Sequence, residues 1–123
     1  QAVREAQAHA GVGGPGTAAC SGDLLLGALA ACAQVTCQMV AAAMELPVGR
    51  IEVKAEGDLD LAGTLGISRE AQVGFSDIRL TFSIEGNLSD EQLASLERKT
   101  ERYCVVLQTI QSATAVTSTF TSS

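Results

Sequence analysis

Leu24 to Met44 reads LLLGALAACAQVTCQMVAAAM, 21 residues without a single charge. Just before it, Ser21-Gly22-Asp23 has the form of a helix start, with Ser21 as N-cap and Asp23 beside the positive end of the dipole. Pro47 and Gly49 stop the helix shortly after Met44. The stretch is long enough to cross a bilayer. Its composition argues otherwise. Seven of the 21 residues are Ala, Gln34 and Gln38 sit in the middle, and Asp23 and Glu45 flank the ends. No aromatic belt is present either, so a buried core helix and no membrane is the expectation. A helix apolar nearly all round needs cover on every side. The remaining elements supply little of it, so strands upstream of Gln1 or a second subunit must do so, which predicts a homodimer.

Downstream, Ile51, Val53 and Ala55 alternate with Glu52, Lys54 and Glu56, the period-2 pattern of a half-buried strand. Gly57-Asp58 is the expected site of a bulge, after which Leu59 and Leu61 resume the alternation. A glycine-containing connection leads to a second strand in which Ile78, Leu80, Phe82 and Ile84 face one way. Ser89-Asp90-Glu91-Gln92 is a capping box opening a helix that runs to about Cys104. An apolar stretch, Val105 to Ile110, follows, and the tail after Gln111 is weakly β-prone. The pattern predicts one α+β domain over 1–123, with 1–19 as an irregular lead-in.

Eight Lys and Arg against 14 Asp and Glu give a net charge of −6, a field that repels phosphate backbones. Only three Phe and one Tyr are present and no Trp, so bases would find little to stack on. No nucleic-acid partner is expected. The four cysteines, Cys20, Cys32, Cys37 and Cys104, do not fall into two close pairs, and His9 is the only histidine, so no metal is expected. The length suffices for a hydrophobic core without disulfide staples, which places the chain in a reducing compartment, the cytoplasm. No cofactor motif stands out. Gly11, Gly13 and Gly16 spell a dinucleotide fingerprint, but Pro15 lies inside it and no strand precedes it, so a flexible loop is the reading.

The thiols carry whatever chemistry there is. On a regular helix Cys32 shares a face with Leu25, Ala28, Leu29, Val35, Thr36 and Met39, and Cys37 lies to one side as core filler. Five helical residues rise about 7.5 Å, beyond the roughly 7 Å a disulfide tolerates between Cα atoms, so Cys32 cannot bond Cys37. Cys20 is separated from Cys32 mostly by helix. If Cys32 has a partner, it is Cys104. From Glu5 to Gly49 there is no Lys or Arg, so a cation that would activate Cys32 must come from elsewhere. Arg98 and Arg102, near Cys104, are the candidates within the chain.

The stretch GDLLLGALAAC at 22–32, paired with ERYCVVLQTI at 101–110, resembles the OsmC/Ohr family, the osmotically inducible and organic-hydroperoxide-resistance proteins. That resemblance implies an OsmC-like fold in which two central helices pack with antiparallel sheet in an intertwined dimer. It also implies a thiol-dependent peroxidase in oxidative-stress defence. Cys32 would attack an apolar organic hydroperoxide, Cys104 would resolve the product as a disulfide, and an external dithiol would reduce it. Asp23 stands one residue after the position of an acid in the peroxidase branch, and Val105 replaces the proline that often follows the second cysteine. The branch's activating arginine lies in an N-terminal strand region with no counterpart in the motif around Arg4. The alternative is a non-catalytic relative, the same dimeric scaffold binding an apolar small molecule or serving a structural role.

Overall fold

The computed structural model describes residues 20–123. Its elements are α1 (Ser21–Ala43), β1 (Val48–Asp58), α2 (Leu61–Thr64), β2 (Asp77–Gly86), α3 (Asp90–Tyr103) and α4 (Val105–Gln111). The strands pair antiparallel into a two-stranded sheet, and α1 lies against β1 with α3 and α4 alongside. This is the expected α+β architecture. The expected lead-in, His9, Arg4 and the Gly11–Gly16 loop all lie outside the described residues.

α1 begins one residue earlier than the sequence suggests. Cys20 is the N-cap, with no side-chain cap, and Ser21 is the first helical residue. A thiol is a weak acceptor, so Asp23 in the first turn is the acidic complement to the dipole. At the other end the chain turns through Glu45 in the left-handed region, φ 55°. Leu46 N–H donates to Ala41 O and Glu45 N–H to Ala42 O, both at 3.0 Å, which is the Schellman arrangement. The helix is thus closed by its own carbonyls before Pro47 is reached.

The inward stripe of α1 is Leu29, Ala33, Cys37 and Ala41, spaced four apart and all at or below 1% exposure. Two clusters of core follow from it. Cys37 and Ala41 pack with Ile51 of β1 and Leu96 of α3. Leu29 and Ala33 pack with Cys104, flanked by Ile78, Leu80 and Phe82 of β2 and by Val106, Leu107 and Ile110 of α4. Gln34 is held beside the stripe, where its amide donates to Ile51 O at 2.9 Å and ties helix to sheet. By length and hydropathy α1 could cross a membrane, and only 22% of its most apolar window is buried in this chain, so the inward stripe is core while much of the helix is left uncovered.

Both strands alternate as their sequences predict, with Ile78, Leu80, Phe82 and Ile84 turned to the core side. The bulge, however, is not at Gly57-Asp58. Val48 pairs with Gly86 and Ile51 with Ile84, so Gly49 and Arg50 together face Glu85. Regular pairing runs through Gly57 and Asp58, and β1 then ends. Leu61 does not resume the strand, because the Asp60 carboxylate accepts from Ala62 N–H at 3.0 Å and starts α2. Gly57 serves a different end: a Cβ there would come within 2.6 Å of Phe75 Cδ1, so the ring lies on bare backbone. Arg79 closes the end of the sheet, with Asp58 at 2.9 Å and Asp77 at 2.6 Å. The capping box at Ser89 forms as read, with Gln92 N–H to Ser89 Oγ at 3.1 Å and Ser89 N–H to Gln92 Oε1 at 3.0 Å. The tail after α4 forms no strand.

Glu45 has a side chain where glycine is the favoured residue. Glu45→Gly removes the left-handed penalty and is expected to stabilise the fold by about 0.5–1 kcal/mol, read as a raised Tm in thermal unfolding.

Candidate functional site

Two helices that are distant in sequence bring Cys32 and Cys104 together. Cys104 is the C-cap of α3 and at once the N-cap of α4, a single extended residue (φ −75°, ψ 109°) between the two. Its N–H still completes α3 by donating to Thr100 O at 3.0 Å, and its carbonyl opens α4 by accepting from Gln108 N–H at 2.9 Å. The thiol is fully buried against Leu29 and Ala33. Cys32, one residue before Ala33, is half-buried at the edge of the same cluster.

The two thiols differ in their readiness to ionise. Chiefly the Val106 N–H in the first turn of α4 lowers the Cys32 pKa. Burial opposes this, while the Cys104 thiol, the Thr36 hydroxyl one turn on and the Val105 N–H add to the lowering. Cys104 is pushed the other way, chiefly by burial; the Leu107 and Val106 N–H groups oppose this, while the hydrogen bond to Cys32 and the charge that Cys32 acquires add to it. Of the two, Cys32 is therefore the thiol that ionises first, with Cys104 the neighbour that keeps its proton longer. No cation figures among the causes of the Cys32 shift within the described residues. Arg102 does not act on Cys32; it is exposed and stacks over the Tyr103 ring at 5.5 Å.

The other expected residues stand apart. Asp23 is exposed nine residues before Cys32, about 13 Å along the helix axis and on the opposite side, so it does not meet the thiol pair within the chain. Cys20 remains at the N-cap of α1. Cys37 is core filler, as expected: burial raises its pKa, only partly offset by the Thr100 hydroxyl, which has no partner of normal geometry. All four thiols are free, and no cluster among the described residues could hold a metal ion. Two cavities of about 280 and 410 Å³ lie between β2 and α3 and at the N-terminus of α1. Neither is lined by Cys32 or Cys104.

The face assigned to Cys32 from sequence needs correction. Of its six companions only Leu29 is buried, whereas Leu25, Val35 and Met39 are 41%, 54% and 67% exposed. The inward direction is rotated toward Cys37. The break in pattern at Cys104 does mark a helix N-terminus, which by its sequence position is expected to favour the Cys104 thiolate; instead the Val106 and Val105 N–H groups lower the pKa of Cys32, and that of Cys104 is raised.

A half-buried thiol of lowered pKa beside a buried one of raised pKa, held between α1 and the α3–α4 break, is the candidate site on this small α+β scaffold. The chain belongs to the OsmC-like protein family, whose pattern matches residues 14–119. In fold it is similar to an OsmC-like protein from Mycoplasma pneumoniae, with TM-score 0.68 and 21% identity. That match covers 79% of this chain and 65% of the other, so this chain spans somewhat less than two thirds of that relative. A second similar structure is an organic hydroperoxide resistance protein OsmC from Legionella pneumophila (TM-score 0.63, 18% identity, 85% of this chain and 71% of that one). A third is an OsmC-like protein of unknown function from Vibrio cholerae (TM-score 0.56, 14% identity, 80% and 62%). No curated protein sequence matches the chain.

The lowered pKa of Cys32 keeps it reactive below the ordinary thiol range, since its thiolate persists as pH falls until the lowered value is reached. Iodoacetamide at neutral pH is therefore expected to label Cys32 ahead of Cys37 and Cys104, read by peptide mass. Equal labelling of Cys37 would contradict the assignment.

Proposed function

We propose that the chain is a thiol-dependent peroxidase for organic hydroperoxides, with Cys32 attacking and Cys104 resolving. The observation that carries this reading is the apposition of the two thiols with opposite ionisation tendencies. The Cys32 thiolate attacks the terminal oxygen of R–O–OH, the O–O bond breaks, and the departing alkoxide takes a proton from solvent to leave as ROH. Cys32 is then a sulfenic acid. Cys104 sulfur displaces its hydroxyl, which leaves as water, and a Cys32–Cys104 disulfide forms. An external dithiol exchanges with this bond, returns both thiols and becomes a disulfide itself. The lowered pKa of Cys32 suits the nucleophile, and the shielded, protonated Cys104 stays unoxidised until the sulfenic acid appears.

Cumene hydroperoxide with dihydrolipoamide as reductant is expected to be consumed faster than hydrogen peroxide. The apolar side chains around Cys32 favour an apolar substrate. Cys32→Ser should abolish turnover and the disulfide, while Cys37→Ser should leave the disulfide in place. Finding every thiol free after peroxide would favour the non-catalytic relative instead.

The same reading includes a homodimer. Leu25, Val35 and Met39 on α1 and Val105 on α4 form an exposed apolar surface around the mouth of the thiol pair. A second copy seated there would cover it and complete a substrate pocket that the chain alone does not form. Light scattering at micromolar concentration is expected to give twice the chain mass, and a stable monomer would remove this part of the reading.

A further inference from the structure

The junction of α3 and α4 has one residue of extended backbone, Cys104, so the dihedrals of a single residue set the angle between the two helices. The φ side of that residue is fixed by α3, through Cys104 N–H to Thr100 O at 3.0 Å. Rotation about its ψ carries α4 as a unit, because the bond from Gln108 N–H to Cys104 O lies within α4 and turns with it. A second tether is needed to set the angle. Among the described residues one polar contact spans the break in this way: Gln108 Nε2 donates to Glu101 O at 2.8 Å. Glu101 O is one of the last carbonyls of α3, left without an intrahelical partner, so the bond also caps that helix.

We propose that Gln108 is the positioning residue of the thiol pair, its amide locking the α3–α4 angle so that the first turn of α4 and the Cys104 thiol stay against Cys32. Gln108 is exposed and touches neither thiol, so it acts only through the junction. Its partner is a backbone atom, which makes the donor group of residue 108 the one exchangeable part of the lock. The apolar contacts of Val106, Leu107 and Ile110 hold α4 on the core but tolerate rotation, since such packing is not directional. The hydrogen bond supplies the direction.

This inference rests on the redox reading above, yet its test does not need peroxidase turnover. Two readings suffice. The first is the equilibrium with glutathione, in which oxidised glutathione takes two electrons and two protons from Cys32 and Cys104 and leaves as two thiols. The second is the pH profile of Cys32 alkylation by iodoacetamide, followed by peptide mass. Gln108→Leu keeps the bulk and loses the donor; it is expected to lower the equilibrium constant about fivefold, as for one net hydrogen bond, and to move the alkylation profile to higher pH. Gln108→Lys restores a donor of sufficient reach, and its equilibrium constant is expected within about twofold of the wild type. A Leu variant that folds with both readings unchanged overturns the proposal, as does a Lys variant as impaired as Leu. Should the Leu variant fail to fold, Gln108→Glu loses the donor at nearly unchanged size and is judged by the same outcomes. Where glutathione forms no disulfide in the wild type, the redox reading fails, and the alkylation profile alone decides the role of Gln108.

Discussion

The close approach of α1 to everything else depends on its stripe of Leu29, Ala33, Cys37 and Ala41. Three of these four side chains are small, and at four-residue spacing they form one narrow inward seam. Small side chains let β1, α3 and α4 come near the helix axis together, so Cys104 can reach the side of α1. A larger residue at 33 would hold the α3–α4 break off the helix, and Cys32 would lose both its thiol neighbour and the N–H groups of Val105 and Val106. The seam is therefore a structural element and a condition of the chemistry at once.

Much of the architecture was legible because its signals are local. The Ser89 capping box, the alternation of Ile78 to Ile84 and the uncharged run from Leu24 each specify one element with little competition. The errors also have local causes. Ser21 looked the better cap than Cys20, but the helix starts where the chain leaves extended backbone, and the Cys20 position precedes that change. Gly57 suggested a bulge, whereas its lack of a side chain serves the Phe75 ring. The Gly49-Arg50 bulge left no comparable mark, since a bulge depends on the partner strand as much as on its own residues.

The site was legible as a pair of residues and not as a surface. Helix geometry alone left Cys104 as the possible mate of Cys32, and the structure places them side by side. Which way α1 faces could not be read from hydrophobicity, because a helix apolar all round has no preferred side; only the size of the residues distinguishes the seam. The acidifying groups were hidden for another reason. They are backbone N–H donors, and a backbone donor has no letter in the sequence.

Full burial of Cys104 imposes a kinetic asymmetry on any bond it makes with Cys32. A thiol arriving from solvent can reach only the half-buried Cys32 sulfur, so exchange must expel Cys104 as the leaving group. A leaving thiolate departs more slowly the higher its pKa, and burial has raised that of Cys104. A bond between the two would thus be slow to open. Its lifetime would be governed by how well an incoming reductant can fit at one side of α1, more than by the reducing strength of its surroundings.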